Sequence, residues 1–289
     1  MSLPVILLHF GMQEYAEQCL RVTAHHNSPV FLIGDDASRR LISVVSGVSW
    51  IDYRSLVLSD DAGEFIDHFV NYSTNSRIYE LTCFLRLYYI EALMQQLSIT
   101  ACFHIDSDCA LLTNVSQVAF QAPDALLVYP DFGNPHRMAA SIHSARVTSE
   151  FIREYRSMIK AAYVEGRWPL EILGKRDYHI QNKVAGGICD MTFYSLVARH
   201  FHVDNLGCPA HGAVFDYRLC TGEGEMLEHQ YEMVGDRKRI FRGQGCLSVR
   251  DSFGQLVRLR SLHFQGEAKM YCAELPVWLA RTLSSSPPP

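Results

Sequence analysis

Two short segments hold residues whose type and spacing suit chemistry. The first runs Phe103-His104-Ile105-Asp106-Ser107-Asp108-Cys109, an apolar stretch ending in two carboxylates one residue apart. Residues i and i+2 of a strand point to the same side, so a slight turn at the strand end aims both carboxylates at one point. Carboxylate oxygens suit hard divalent cations, and two facing anions call for a counter-charge, so Asp106 and Asp108 are candidate ligands for Mg2+ or Mn2+. An Asp-x-Asp also arises as a helix cap or a solvated turn. The apolar run before it argues instead for presentation on a rigid strand end. The second segment lies near the C-terminus: Leu262-His263-Phe264-Gln265-Gly266-Glu267-Ala268-Lys269. It offers an imidazole, a glycine that lets the backbone come close to a ligand, and a compact ammonium suited to phosphate.

The pattern Asp-x-Asp after an apolar strand, followed far downstream by His-x-x-Gly-x-x-Lys, resembles nucleotide-sugar glycosyltransferases of the GT-A fold, in particular the group of glycogenin and the bacterial lipopolysaccharide galactosyltransferases. The resemblance implies that Asp106, Asp108 and His263 bind Mn2+ (or Mg2+) bridging the diphosphate of a donor, with UDP as its nucleotide. It also implies that Gly266 and Lys269 contact that diphosphate. Arg86, in the stretch Phe84-Leu85-Arg86-Leu87-Tyr88-Tyr89, matches an arginine facing the donor site. Asp35 and Asp36 match acidic residues that contact the nucleoside, or else cap a helix beginning near Ala37. The Asn182–Met191 segment, with Gly186 and Gly187 ahead of an expected apolar strand, matches a stretch lining the donor sugar. After Lys269 the chain reads Met270-Tyr271, where that group often has Pro-Trp.

On the acceptor side the expectations are a glycan, a glycolipid or another hydroxyl, with Gln181 and Asn182 as hydrogen-bonding amides. Asp216 and Asp190 are candidate bases, since inversion requires a carboxylate to take the acceptor proton; the bland alternative for each is a strand-end cap. The resemblance favours retention and an enzyme of the hexosyltransferase class acting in polysaccharide biosynthesis. The competing readings are a phosphatase with an aspartyl nucleophile, a sugar-nucleotide nucleotidyltransferase, and a non-catalytic nucleotide-sugar binding protein.

These residues need a frame. The opening reads strand (Val5 to Phe10), helix (Gln13 to His25) and strand (Pro29 to Asp36), the start of a parallel, doubly wound α/β sheet whose ligands bind beyond the carboxyl ends of its strands. A strand at Ser49 to Tyr53, helices at Asp60 to Tyr72, Tyr79 to Leu97 and Ser149 to Tyr163, and a strand at Leu126 to Pro130 follow from periodicity. Cys246 to Leu262 reads as a hairpin turning at Asp251-Ser252-Phe253-Gly254. The expected organisation is one GT-A domain over residues 1–283: a Rossmann-like, mostly parallel sheet flanked by helices, with a nucleotide-binding half (1–130) and a metal-closing, acceptor-side half (131–283). Residues 284–289, Ser-Ser-Ser-Pro-Pro-Pro, read as a disordered tail.

Composition bounds the rest. The 289 residues are 48% hydrophobic and 20% charged, ordinary globular values with ample material for a core. The formal charge of −5 disfavours non-specific nucleic-acid binding. No apolar run reaches the roughly 18 residues of a membrane span. The basic run Asp236-Arg237-Lys238-Arg239-Ile240-Phe241-Arg242 reads as a solvated hairpin or as a peripheral contact with an anionic membrane. Nine cysteines, without a Cys-x-x-Cys pair, suggest buried free thiols and a cytoplasmic setting.

Overall fold

The computed structural model describes residues 2–128, 136, 138–220, 231–243 and 245–279. The tail expected at 284–289 lies outside the described residues. The elements in chain order are β1 (Val5–His9), α1 (Glu14–His26), β2 (Val30–Gly34), β3 (Val48–Asp52), α2 (Asp60–His68), α3 (Arg77–Gln96), β4 (Ala101–Ile105), β5 (Cys109–Leu111), β6 (Asp124–Val128), β7 (Ala140–Thr148), α4 (Ser149–Ile159), α5 (Leu170–Asn182), α6 (Asp190–Ala198), β8 (Val203–Asn205), β9 (Ala213–Phe215), β10 (Met233–Val234), β11 (Arg237–Lys238), β12 (Phe241–Gly243), β13 (Cys246–Arg250), β14 (Leu256–His263) and α7 (Leu275–Leu279). The expected α/β class holds: the main sheet has seven strands in the order β3-β2-β1-β4-β7-β6-β8. The chain forms two compact units, one of Met1–Ile51, Phe103–Ala119 and Asn205–Pro289, the other of Asp52–Cys102 and Phe120–Asp204.

In the first unit β1 lies parallel to β2, with Val5 opposite Val30 and His9 opposite Gly34, and parallel to β4, with Val5 opposite Phe103. Val5, Ile6 and Leu7 are fully buried, as a near-continuous apolar strand of a covered parallel sheet must be. A second sheet runs β12-β13-β14-β5, with β9 also on β14. Its core joins Val257, Leu259, Leu262 and Phe264 of β14 and its exit to Cys19 of α1 and to Cys272, Leu275 and Trp278. All nine cysteines are free thiols; Cys19 and Cys272 face each other at 3.7 Å within that core.

The second unit is built on an aromatic core in which Phe65, Phe69, Phe84 and Tyr163 meet with ring centroids 5.1 to 5.7 Å apart. Arg156 of α4 bridges Asp61 of α2 and Glu91 of α3, tying three helices with one guanidinium. Ser76 caps α3 and Thr148 caps α4 through their side-chain oxygens.

Four expectations change. The helix from Asp60 ends at His68, short of Tyr72. The helix from Ser149 passes at Lys160 into a π-turn reaching Val164. Strand β7 and helix α5 had no counterpart in the sequence reading. The apolar strand expected after Gly187 is helix α6. Gly186 and Gly187 have φ of 95° and 125°, which breaks extended structure. Phe193, Leu196 and Val197 then bury at helical spacing. Gly187 sits where the backbone crosses Tyr72: Ile188 N–H donates to the Tyr72 carbonyl at 3.1 Å, and a Cβ at 187 would stand 2.1 Å from that oxygen. G187A should therefore lower stability by at least about 2 kcal/mol, through strain plus a backbone clash, while G166A, with open space at its Cβ, costs less. Urea unfolding of both variants measures the difference.

Candidate functional site

The turn after β4 delivers the two carboxylates. Cys109 N–H donates to the Asp106 carbonyl at 3.0 Å, so the chain folds back at Asp106-Ser107-Asp108 and leaves along β5. Strand β5 pairs antiparallel with β14, with Cys109 opposite His263, and Phe264 N–H donates to the Asp108 carbonyl at 2.8 Å. A register shift on β14 between Leu259 and Ser261 changes which side its residues face. Before it Val257 and Leu259 enter the apolar core; after it Leu262 and Phe264 do, which turns Ser261 and His263 to the other face.

One donor atom from each of Asp106, Asp108 and His263 lies within 4.8 Å of the others. His263 Nε2 is 3.4 Å from Asp108 Oδ1, and Lys269 Nζ is 2.7 Å from Asp108 Oδ2. The ring of His263 is oriented from behind: Nδ1–H donates to the Tyr217 carbonyl at 2.5 Å, so in the neutral ring Nε2 carries the lone pair and faces the carboxylates. Two lone-pair-bearing groups facing each other at this distance repel unless a proton or a metal lies between them. The set fits a hard divalent cation: a Mg2+ with bonds of about 2.0–2.1 Å spans its donors over about 3 to 4 Å, so a modest inward movement would close the three.

The electrostatics agree. Burial works hardest against a charged His263, but the Asp108 carboxylate, with Asp106 behind it, outweighs burial and holds its pKa above the ordinary histidine value. Burial likewise pushes Asp108 up, yet His263 and Lys269 together bring it below the usual carboxylate value. Lys269 is raised by Asp108 against the opposing effect of burial, and its ammonium also stands 5.0 Å over the Tyr15 ring. Lys269, together with His263 whenever its ring is protonated, thus balances Asp108 in the metal-free protein. Gly266 has φ 59° and nothing within 4 Å of its Cβ position, so it opens the turn into the 3-10 helix at Gly266–Glu274 with its backbone uncovered.

The other sequence candidates separate. Asp35 lies at the carboxyl end of β2, where its Oδ1 takes the N–H of Gly11 at 3.0 Å and of Ser38 at 2.8 Å. Burial opposes its ionisation, but these backbone donors win and lower its pKa. Asp35 thus ties the Gly11 loop to the turn at Ser38, and Asp36 beside it is exposed. Asp216, at the end of β9, is 2% exposed and ion-paired with Lys238 at 2.5 Å. In the second unit, Arg86 lies on α3 with an Nη 3.5 Å from Cys83 Sγ, Asp190 opens α6 and accepts the Met191 N–H at 2.8 Å, Gln181 and Asn182 are exposed at the end of α5, and the close approach at Gly187 is to the Tyr72 backbone. The basic run is not a solvated face throughout. Lys238 is in the core, and Arg237 stacks on Tyr271 and Trp278 at 4.7 and 5.2 Å.

Sequence reasoning missed His9, which ends β1 and accepts or donates at Nδ1 to Ser107 Oγ at 2.9 Å. The rule that ligands gather beyond the carboxyl ends of parallel strands flags it, since His9 closes the first strand as Asp35 follows the second. It also missed His104, whose Nε2 is 3.3 Å from Asp106 Oδ1; the i, i+2 spacing on one strand face was its signal. Tyr217 gave no signal, because its contribution is a backbone carbonyl.

The sequence matches no protein-family model, and it matches no curated protein. In structure the chain is similar to mouse xyloside xylosyltransferase 1 in its apo form (TM-score 0.49, 15% identity, 76% of this chain and 89% of that one). It is also similar to PaToxG glycosyltransferase (TM-score 0.40, 13% identity, 69% of each chain). A third likeness is to the apo-form glycosyltransferase GlyE of Streptococcus pneumoniae TIGR4 (TM-score 0.33, 12% identity, 70% of this chain and 45% of that one). At these scores the likeness is one of form only. Among the described residues no helix is long and apolar enough to cross a membrane.

A cation that takes His263 Nε2 must displace a proton held above the ordinary histidine pKa. Mn2+ affinity should therefore rise from about pH 6 to about pH 8, by up to about tenfold per unit below that pKa, and level off above it. Isothermal titration across this range checks it; an affinity independent of pH would remove His263 from the ligand set.

Proposed function

We propose that this protein is a metal-dependent glycosyltransferase that moves a sugar from a nucleotide diphosphate donor, a UDP-sugar, to a hydroxyl of a glycan or glycolipid, with retention. The observation that carries the reading is the convergence of Asp106, Asp108 and His263, with Nε2 of His263 turned inward and Lys269 beside them. Carboxylate and imidazole ligands beside a fixed ammonium suit the stabilisation of a diphosphate leaving group. The family resemblance of the two motifs supplies the donor class, the nucleotide and the stereochemistry.

Asp106, Asp108 and His263 would hold Mn2+ or Mg2+, which would supply Lewis-acid neutralisation of the charge developing on the departing diphosphate. The chain's own residues do the rest. Tyr217 keeps the His263 ring oriented with Nε2 facing the carboxylates. Lys269, 2.7 Å from Asp108, would set its ammonium against the donor phosphates. Gly266 leaves the backbone at the start of its helix open to the same phosphates. Asp36, exposed beside the carboxyl end of β2, is available to the nucleoside. Asp216 is committed to Lys238 and Asp190 to a helix start, so neither is assigned as a base.

The test is donor hydrolysis without acceptor across a panel of nucleotide sugars, with Mn2+, with Mg2+ and with EDTA. The expected result is release of nucleotide diphosphate from one donor, abolished by EDTA. D108A and H263A should lose turnover, and K269M should retain metal binding while kcat falls about 100-fold, the scale of one electrostatic contact to a developing charge. Absence of both hydrolysis and metal-dependent nucleotide binding would overturn the glycosyltransferase reading.

A further inference from the structure

Behind His263 lies a buried ion pair that no step above uses. Asp216 and Lys238 are 2% and 1% exposed, and their oxygen and nitrogen are 2.5 Å apart. The second carboxylate oxygen of Asp216 accepts the main-chain N–H of His263 at 3.1 Å. Asp216 is itself fixed, its N–H donating to Ser261 Oγ at 3.0 Å. The next residue supplies the Tyr217 carbonyl that takes the His263 ring N–H at 2.5 Å, and Leu219 N–H donates to the His263 carbonyl at 2.8 Å. Lys238 N–H donates in turn to the Leu219 carbonyl at 3.0 Å. One four-residue segment therefore holds His263 by its backbone N–H, its backbone carbonyl and its ring.

We propose that Asp216 is a positioning residue for the metal site: its carboxylate, neutralised by Lys238, fixes the backbone of His263 so that Nε2 meets the cation held by Asp106 and Asp108. The inference rests on the metal reading above. His263 lies past the register shift, where pairing with β5 sets the side it faces, and the Asp216 contact is the polar clamp on its N–H. Lys238 is needed because an unpaired carboxylate buried in this core is costly. What Asp216 gives to His263 is a hydrogen-bond acceptor, whereas what it gives to the fold is a charge partner for Lys238. The two roles can be separated.

The experiment compares two double variants with the wild type. D216N/K238M removes both charges and keeps an acceptor at 216. D216L/K238M removes both charges and the acceptor, and replaces the pair with apolar groups of similar size, a change that folds tolerate. Thermal unfolding of the metal-free proteins and isothermal titration with Mn2+ are measured on each. The expected result is that both variants fold, that D216N/K238M binds Mn2+ within about threefold of wild type, and that D216L/K238M binds it about 10- to 100-fold more weakly, the usual cost of losing a group that orients a ligand. Should leucine not be accommodated, D216A/K238M makes the same comparison. If wild type binds Mn2+ and the acceptor-less variant binds it equally well, the pair is only structural and this inference falls alone. If wild type binds no Mn2+, the metal reading falls and takes the inference with it.

Discussion

The antiparallel pairing of β5 with β14 is the constraint on which the site depends. Asp108 and His263 are far apart in sequence, and they become neighbours because Cys109 lies opposite His263 in one ladder. The ladder is closed on each side by backbone bonds, Phe264 N–H to the Asp108 carbonyl and Leu112 N–H to the Arg260 carbonyl, at 2.8 and 2.9 Å. Strand register cannot drift by one without sending every side chain to the opposite face. A slip here would exchange His263 with Leu262 and put an imidazole into the apolar core, so the burial of Leu262 and Phe264 enforces the aim of His263. The hydrophobic pattern of β14 and the placing of His263 beside Asp108 are one requirement stated twice.

That coupling explains how the protein keeps mutually repelling groups together. Asp106 and Asp108 converge in a partly buried turn, where each needs a counter-charge. Lys269 and a His263 of raised pKa supply it to Asp108 without a metal. A divalent cation would replace the proton on His263 and relieve Lys269 of its partner. A second layer follows the same logic: the Asp216 carboxylate, buried behind His263, is neutralised by a lysine equally buried.

Much of the frame was legible in the sequence because local rules and the fold agree. The first strand, helix and strand fall within a residue or two of their expected places, as does the hairpin at Asp251–Gly254. So does the strand-end presentation of Asp106 and Asp108. The pattern failed where apolar runs had two readings. Ile188 to Val197 is as apolar as a strand, and its identity was decided by the two left-handed glycines and the helix start at Cys189. It failed for β7, whose alternation is blurred because both faces are buried across Ala140 to Ala145. It also failed at Lys238, where a run of cations suggests solvent and only the tertiary fold reveals a buried carboxylate opposite one of them. The role of Tyr217 is carried by a main-chain oxygen that every residue possesses, so no sequence reading could single it out.

Lys269 shows how secondary structure decides what a charged side chain does. The segment Gly266–Glu274 is a 3-10 helix, in which residues three apart eclipse one another. Lys269 therefore stands in one row with Cys272 and Leu275, both in the apolar core. An α-helix turns 100° per residue and would rotate Lys269 about 60° away from Cys272, toward Met270, which is 70% exposed. The tighter helix keeps the lysine on the inward row, its stem along apolar surface and over Tyr15 and its ammonium at Asp108. Gly266 makes this possible by entering the helix at positive φ. The Gly-x-x-Lys spacing is thus one turn of a 3-10 helix. A helix of α pitch would turn the same lysine toward solvent and away from Asp108.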